Sequence, residues 1–151
     1  MRRSAAKRSL PPANSHAARF VRQRKADRSS TTEDYVELIA DLLREEGEAR
    51  AVDLARRMGV SQATVTATVG RLQRNGLVET KPYRGLFLTE IGQTLAAAAR
   101  ARHDLVVRFL IAVGLDPETA EEDGEGLKHH ASEKALAAFA RFLEDREGGE
   151  R

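Results

Sequence analysis

The stretch that decides the fold is GVSQATVTATVGRLQRNGLVETKPYRGLFLTE, residues 59–90. Gly59-Val60-Ser61 reads as a tight turn, with Ser61 as the N-cap of a helix over about Gln62–Asn75. Val65, Val69 and Leu72 fall at i, i+4 and i+7 and give that helix one apolar face. Gly76 ends it. The period then changes. Leu77-Val78-Glu79-Thr80 and Leu86-Phe87-Leu88-Thr89 read as two short strands joined by the turn Lys81-Pro82-Tyr83-Arg84-Gly85. Upstream, Val52, Leu54, Ala55 and Met58 mark a short helix over about 51–58. Helix, tight turn, polar-faced helix and basic-tipped hairpin follow in the order of a winged helix-turn-helix. In that arrangement the second helix enters the DNA major groove and the first fixes its angle. Ser61, Gln62, Ala63 and Thr66 are then expected at base edges, and Arg71, Arg74, Lys81 and Arg84 at phosphates of double-stranded operator DNA. Few of these groups can read a base, so sequence preference is expected to lean on DNA shape. The alternative is a three-helix core with a merely solvated charged face.

Working outward, Tyr35, Val36, Leu38, Ile39, Leu42 and Leu43 predict a first helix over about 33–46, with Ser30 and Glu33 as a capping box and Gly47 as its stop. Thr89 caps a long helix over about 90–113, and Asp116-Pro117 opens another that reaches about His130, weakened by Gly124 and Gly126. Ser132 caps a last helix through about Asp145, and the end of the chain from Gly148 is expected to fray. The fold class is therefore mainly α. A winged helix-turn-helix with a two-stranded wing, over 31–93, precedes a second, helical region, over 94–147.

Residues 1–30 carry nine Lys or Arg against one Asp. With Pro11-Pro12 and little apolar content, they are expected to form a disordered basic tail, either solubilising or phosphate-binding. Residues 50–84 hold a second basic block, seven Lys or Arg against two acidic residues, although the chain as a whole has a net charge of only +2. Such a block is the footprint of a nucleic-acid partner. Trp is absent and aromatics make up 5% of the chain, so its core must rest on aliphatic side chains. Small cores of that kind are often completed by a partner chain. There is no Cys, which removes disulfides and thiolate ligands and suits a reducing, cytoplasmic setting. No stretch is long and apolar enough for a membrane span, so neither a membrane nor a small-molecule substrate is expected as a partner.

Asp34 and Glu37 share a helix face at i and i+3, and Glu125 and His129 share another at i and i+4. His103 lies on the long helix between them. Carboxylates with imidazoles and no sulfur suit Mn²⁺, with Fe²⁺ second. Spacing alone leaves other readings open. The acids also favour a helix N-terminus, His129 a helix C-terminus, and His103 a satisfied half-buried position.

Glu33-Asp34-Tyr35-Val36-Glu37, Tyr83 to Thr89, Arg102-His103-Asp104-Leu105 and Glu125-Gly126-Leu127-Lys128-His129-His130 together resemble the manganese transport regulators, the manganese-sensing branch of the diphtheria toxin repressor family. The resemblance runs in register from about Glu33 to Phe142 and implies a homodimeric repressor of manganese-uptake genes. It implies Asp34, Glu37, His103, Glu125 and His129 as metal ligands between the DNA-reading and dimerisation regions. The iron-sensing branch has sulfur where this chain has Asp34 and Glu125, which favours manganese. One departure stands out: the family places a Glu ligand directly before the last His, and here that residue is Lys128. Lys128 is expected to pair with Glu37 or Glu125 and to leave one ion per subunit. Without metal, Asp34, Glu37 and Glu125 are expected to repel one another and free the two regions to move. The rivals are a metal-independent winged-helix regulator and a metal-dependent hydrolase, the latter without a nucleophile motif and with no use for the wing.

Overall fold

The computed structural model describes residues 10–149, which form six helices and one two-stranded sheet. Helix α1 spans Ala13–Glu46, α2 Ala51–Met58 and α3 Gln62–Arg74. Strands β1 (Val78–Lys81) and β2 (Gly85–Leu88) follow, then α4 (Glu90–Ala112), α5 (Pro117–His130) and α6 (Glu133–Gly149). The caps follow local chemistry. Ser61 accepts from the Thr64 amide, Thr89 from Gly92 and Asp116 from Thr119, each satisfying an amide that the helix itself cannot. Backbone hydrogen bonds on Asp116 are the first cause holding its carboxyl below the usual range, and the Thr119 hydroxyl adds to them.

Two boundaries differ from expectation. The first helix starts at Ala13 rather than near Glu33, so the described part of the expected disordered tail is helical from there. The remaining residues of that tail, 1–9, lie outside the described residues. Between Ala13 and Glu46 there is no Gly or Pro, and Ala, Arg, Lys and Gln are strong helix formers, so nothing halts propagation. Ser30 accordingly caps nothing: its hydroxyl donates back to the Asp27 carbonyl at 2.8 Å, inside the helix. At the other end, α6 continues to Gly149 instead of fraying from Gly148. Arg146 donates to the Ala112 carbonyl at 2.6 Å and Arg108 pairs with Glu147 at 2.8 Å, which ties that end to α4.

The C-terminal half of α1, with α2, α3 and the hairpin, surrounds an aliphatic core. Tyr35, Val36, Ile39, Leu42, Leu54, Val65 and Leu72 are buried in it, with Leu86 and Leu88 from the wing. The strands pair antiparallel, Val78 with Leu88 through Lys81 with Gly85, one residue further along than the sequence suggests for β1. Gly85 has φ 80°, and a β-carbon there would come within 2.5 Å of the Ala49 carbonyl oxygen. This close approach lets the Leu86 amide donate to Ala49 at 2.8 Å, docking the wing on the loop before α2.

Helices α4, α5 and α6 pack into the second region. Phe109 stacks on Phe139 at 4.0 Å between centroids, with Phe142 edge-on at 5.5 Å. Gly124 does not interrupt α5. It lets that helix press on α4, where a β-carbon would come within 2.8 Å of Val107. The same contact sets α5 beside His103.

Candidate functional site

Three helices bring the expected ligands together. Helix α1 supplies Asp34 and Glu37 from the turns that also carry the core residues Tyr35 and Val36. Helix α4 supplies His103, only 7% exposed. Helix α5 supplies Glu125 and His129. His129 Nε2 lies 2.9 Å from Asp34 Oδ1, and His103 Nδ1 lies 3.3 Å from Glu125 Oε1. At the centre is Lys128, 2% exposed. Its ammonium donates to Glu37 Oε1 at 3.0 Å and lies 3.0 Å from Glu125 Oε2 and 3.9 Å from Asp34 Oδ1. Lys128 thus pairs with both carboxylates named for it, not with one of them. Burial alone would lower its pKa, but hydrogen bonds to Glu125 and Glu37 outweigh burial and hold it above the ordinary 10.5.

The expected repulsion among Asp34, Glu37 and Glu125 left the Lys128 ammonium between them out of account. The three carboxylates face an ammonium, and α1 is attached to α5 through Lys128–Glu37 and His129–Asp34. Among the described residues, no three His, Asp or Glu donors stand close enough together to hold an ion, and the Lys128 ammonium lies among the three carboxylates.

The donors nevertheless fit a divalent ion. His103 Nδ1 is buried and makes no hydrogen bond. Its other nitrogen, Nε2, is 2.7 Å from Glu121. A carboxylate only accepts, so Nε2 donates to Glu121, and Nδ1 is the nitrogen left for an ion. His129 faces carboxylates on both nitrogens, Nε2 at Asp34 and Nδ1 3.2 Å from Glu33, itself held by Arg102 at 3.0 Å. A carboxylate on the far nitrogen of a ligating imidazole fixes the ring and raises its basicity. Glu33, Arg102 and Glu121 are therefore parts of the site that the sequence reading passed over. Glu121 had a signal, lying four residues before Glu125 on the same face of α5. A cleft of about 520 Å³, lined by Asp34, Glu37, Glu125, Lys128 and Met58 among others, opens the centre to solvent.

The second candidate surface is the outer face of α3 with the wing. Ser61, Gln62, Ala63, Thr66, Arg71, Arg74, Lys81 and Arg84 are all exposed, on an element whose apolar side, Val65, Val69 and Leu72, is buried. The wing turn adds Tyr83, fully exposed with φ 62°, which composition did not single out. Lys81 Nζ sits 4.8 Å above the Phe87 ring, which stiffens the basic tip. Among the described residues no helix is long and apolar enough to cross a membrane.

Comparison with known proteins identifies the two regions that carry these surfaces. Residues 27–86 match the family profile "Iron dependent repressor, N-terminal DNA binding domain", and residues 89–148 match "Iron dependent repressor, metal binding and dimerisation domain". The "Transcriptional regulator MntR" of Escherichia coli O6:H1 is 50% identical over 129 residues, covering 85% of this chain and 83% of the relative. Its namesake in Salmonella typhimurium is 46% identical over 129 residues, covering 85% and 82%. Among solved structures, the manganese regulator SloR superposes with a TM-score of 0.66 at 28% identity, over 75% of this chain and 53% of the other, so the chain spans about half the length of SloR. These relatives regulate transcription, which leaves the hydrolase reading without support. The chain belongs to the iron dependent repressor family, whose two domains it carries in order, and within it to the MntR transcriptional regulators.

Proposed function

We propose that this chain is a homodimeric, Mn²⁺-dependent repressor of manganese-uptake genes, acting on operator DNA in the bacterial cytoplasm. Residues 31–93 form the DNA-reading unit and 94–147 the pairing and metal-binding unit. The observation that supports this reading is that Lys128 draws in Asp34, Glu37 and Glu125 across the junction of the two family domains, with His129 paired to Asp34 and His103 beside Glu125. Those five residues would hold the ion, with Mn²⁺ first and Fe²⁺ second by donor chemistry and by kinship to MntR. Bound there, a divalent ion supplies positive charge that carboxylates of both domains share.

The chain's own residues do the rest. Asp34 and Glu37 lie on the same turns of α1 as Tyr35, Val36 and Ile39, which pack in the core that seats α3. Fixing α1 against α5 therefore fixes the recognition helix. In a dimer, that sets the separation of two such helices to suit half-sites one turn of DNA apart. Gln62 and the hydroxyls of Ser61 and Thr66 meet bases, while Arg71, Arg74, Lys81 and Arg84 meet phosphates. The exposed Ile111, Val113 and Phe142 of the second region suit burial against a second copy.

The test is operator binding by the full chain, titrated with Mn²⁺, Fe²⁺ and Zn²⁺ in turn. Mn²⁺ is expected to tighten binding roughly five- to 150-fold, the usual range of allosteric coupling. Affinity equal in Mn²⁺ and in chelator would leave a metal-independent regulator instead.

A further inference from the structure

The side chain of Lys128 is long and flexible, and the cleft beside it is open, with Glu125 61% exposed at its edge. A solvated ammonium would reach out there. Instead the Lys128 ammonium is buried at the convergence of carboxylates from two domains, Glu37 on α1 and Glu125 on α5, with Asp34 next. Burying an ammonium is unfavourable unless it is paired and hydrogen-bonded, and here it is both. The charges give a second argument. Asp34, Glu37 and Glu125 carry three negative charges, and the ammonium among them cancels one, where a second cation would otherwise be needed. The imidazoles sit on either side of the ammonium, His103 toward Glu125 and His129 toward Asp34.

We infer that Lys128 is a resident cation of this centre, filling one cation position with its own ammonium and joining α1 to α5 before any metal arrives. The inference rests on the metal-centre reading above and adds two things to it. The centre takes one divalent ion per subunit. The domain junction is already closed in the metal-free chain, so the ion reinforces a contact rather than creating it.

The experiment uses the full-length chain stripped of metal, with its variants Lys128→Glu and Lys128→Gln. Calorimetric titration with Mn²⁺ is expected to give one ion per subunit for the parent chain and two for Lys128→Glu, where a fourth carboxylate replaces the positive charge. Lys128→Gln, which removes the charge but keeps polarity, is expected to bind its ion at least about tenfold tighter, since a nearby like charge has gone. Hydrogen exchange supplies a readout independent of metal. In the stripped parent chain the amides of 127–131 are expected to be protected, and in both stripped variants to exchange at least about tenfold faster. Two ions in the parent chain, or equal exchange of 127–131 in parent and variants, would overturn the inference while leaving Mn²⁺-dependent repression standing. No Mn²⁺ bound by any of the three proteins would overturn both.

Discussion

At the scale of single residues, His103 is the most diagnostic of the proposed ligands. Its ring is gripped by Glu121 on one nitrogen, and the other has no hydrogen-bond partner. His103→Ala is expected to abolish the Mn²⁺ response of operator binding while leaving the dimer intact; monomers in sedimentation would contradict this. Arg84 sits exposed on the wing turn. Arg84→Ala is expected to weaken binding to every DNA sequence alike and to lower the salt slope by about one. An effect on one operator only would make it a base reader. Lys128 predicts an alkaline signature. Its folded pKa lies above the ordinary 10.5, so its contribution to stability is complete below that value and disappears as pH rises through the higher folded one. Thermal unfolding of the metal-free chain above about pH 10 should therefore fall more steeply than that of Lys128→Met. The five ligand candidates came from the family resemblance; helical spacing alone only put Asp34 with Glu37, and Glu125 with His129, on shared faces. Glu33 was not, since it reaches His129 only once the core has set the rotation of α1 against α5.

At the scale of elements, the recognition helix was the most legible, because cap, apolar stripe and stop all agree within 61–76. The start of α1 was not. A basic, polar segment reads as disordered by composition, yet the same Arg, Lys and Ala side chains extend a helix already nucleated by the core residues that follow. The wing was legible as a hairpin but not in its docking, which depends on Gly85 meeting a loop thirty-odd residues away. Gly85→Val is expected to strain a positive φ and drive a side chain into Ala49, costing about 1–3 kcal/mol. Chemical denaturation would measure that loss. Operator affinity should fall with it, because Lys81 and Arg84 move with the turn.

At the scale of the molecule, an ion that binds only the folded chain must stabilise it. Mn²⁺ at a hundred times its dissociation constant is expected to add about 2.7 kcal/mol, read as a rise in unfolding midpoint over the chelated protein. Mg²⁺, which prefers all-oxygen octahedral sites, should add much less. Domain order was plain from the sequence, and Lys128 was expected against Glu37 or Glu125; that it would meet both and also lie near Asp34, 94 residues away, is not visible in a linear string. The 34-residue α1 has a consequence of its own. At 1.5 Å per residue it is a rod about 50 Å long that carries basic side chains at one end and the metal donors and DNA-domain core at the other. Asp27, on its leading half, also reaches His130, the neighbour of His129. Shortening the chain at its N-terminus is therefore not innocuous trimming: it changes the leverage on the sensor, and a reporter dye near Ala18 would register the swing of the whole shaft.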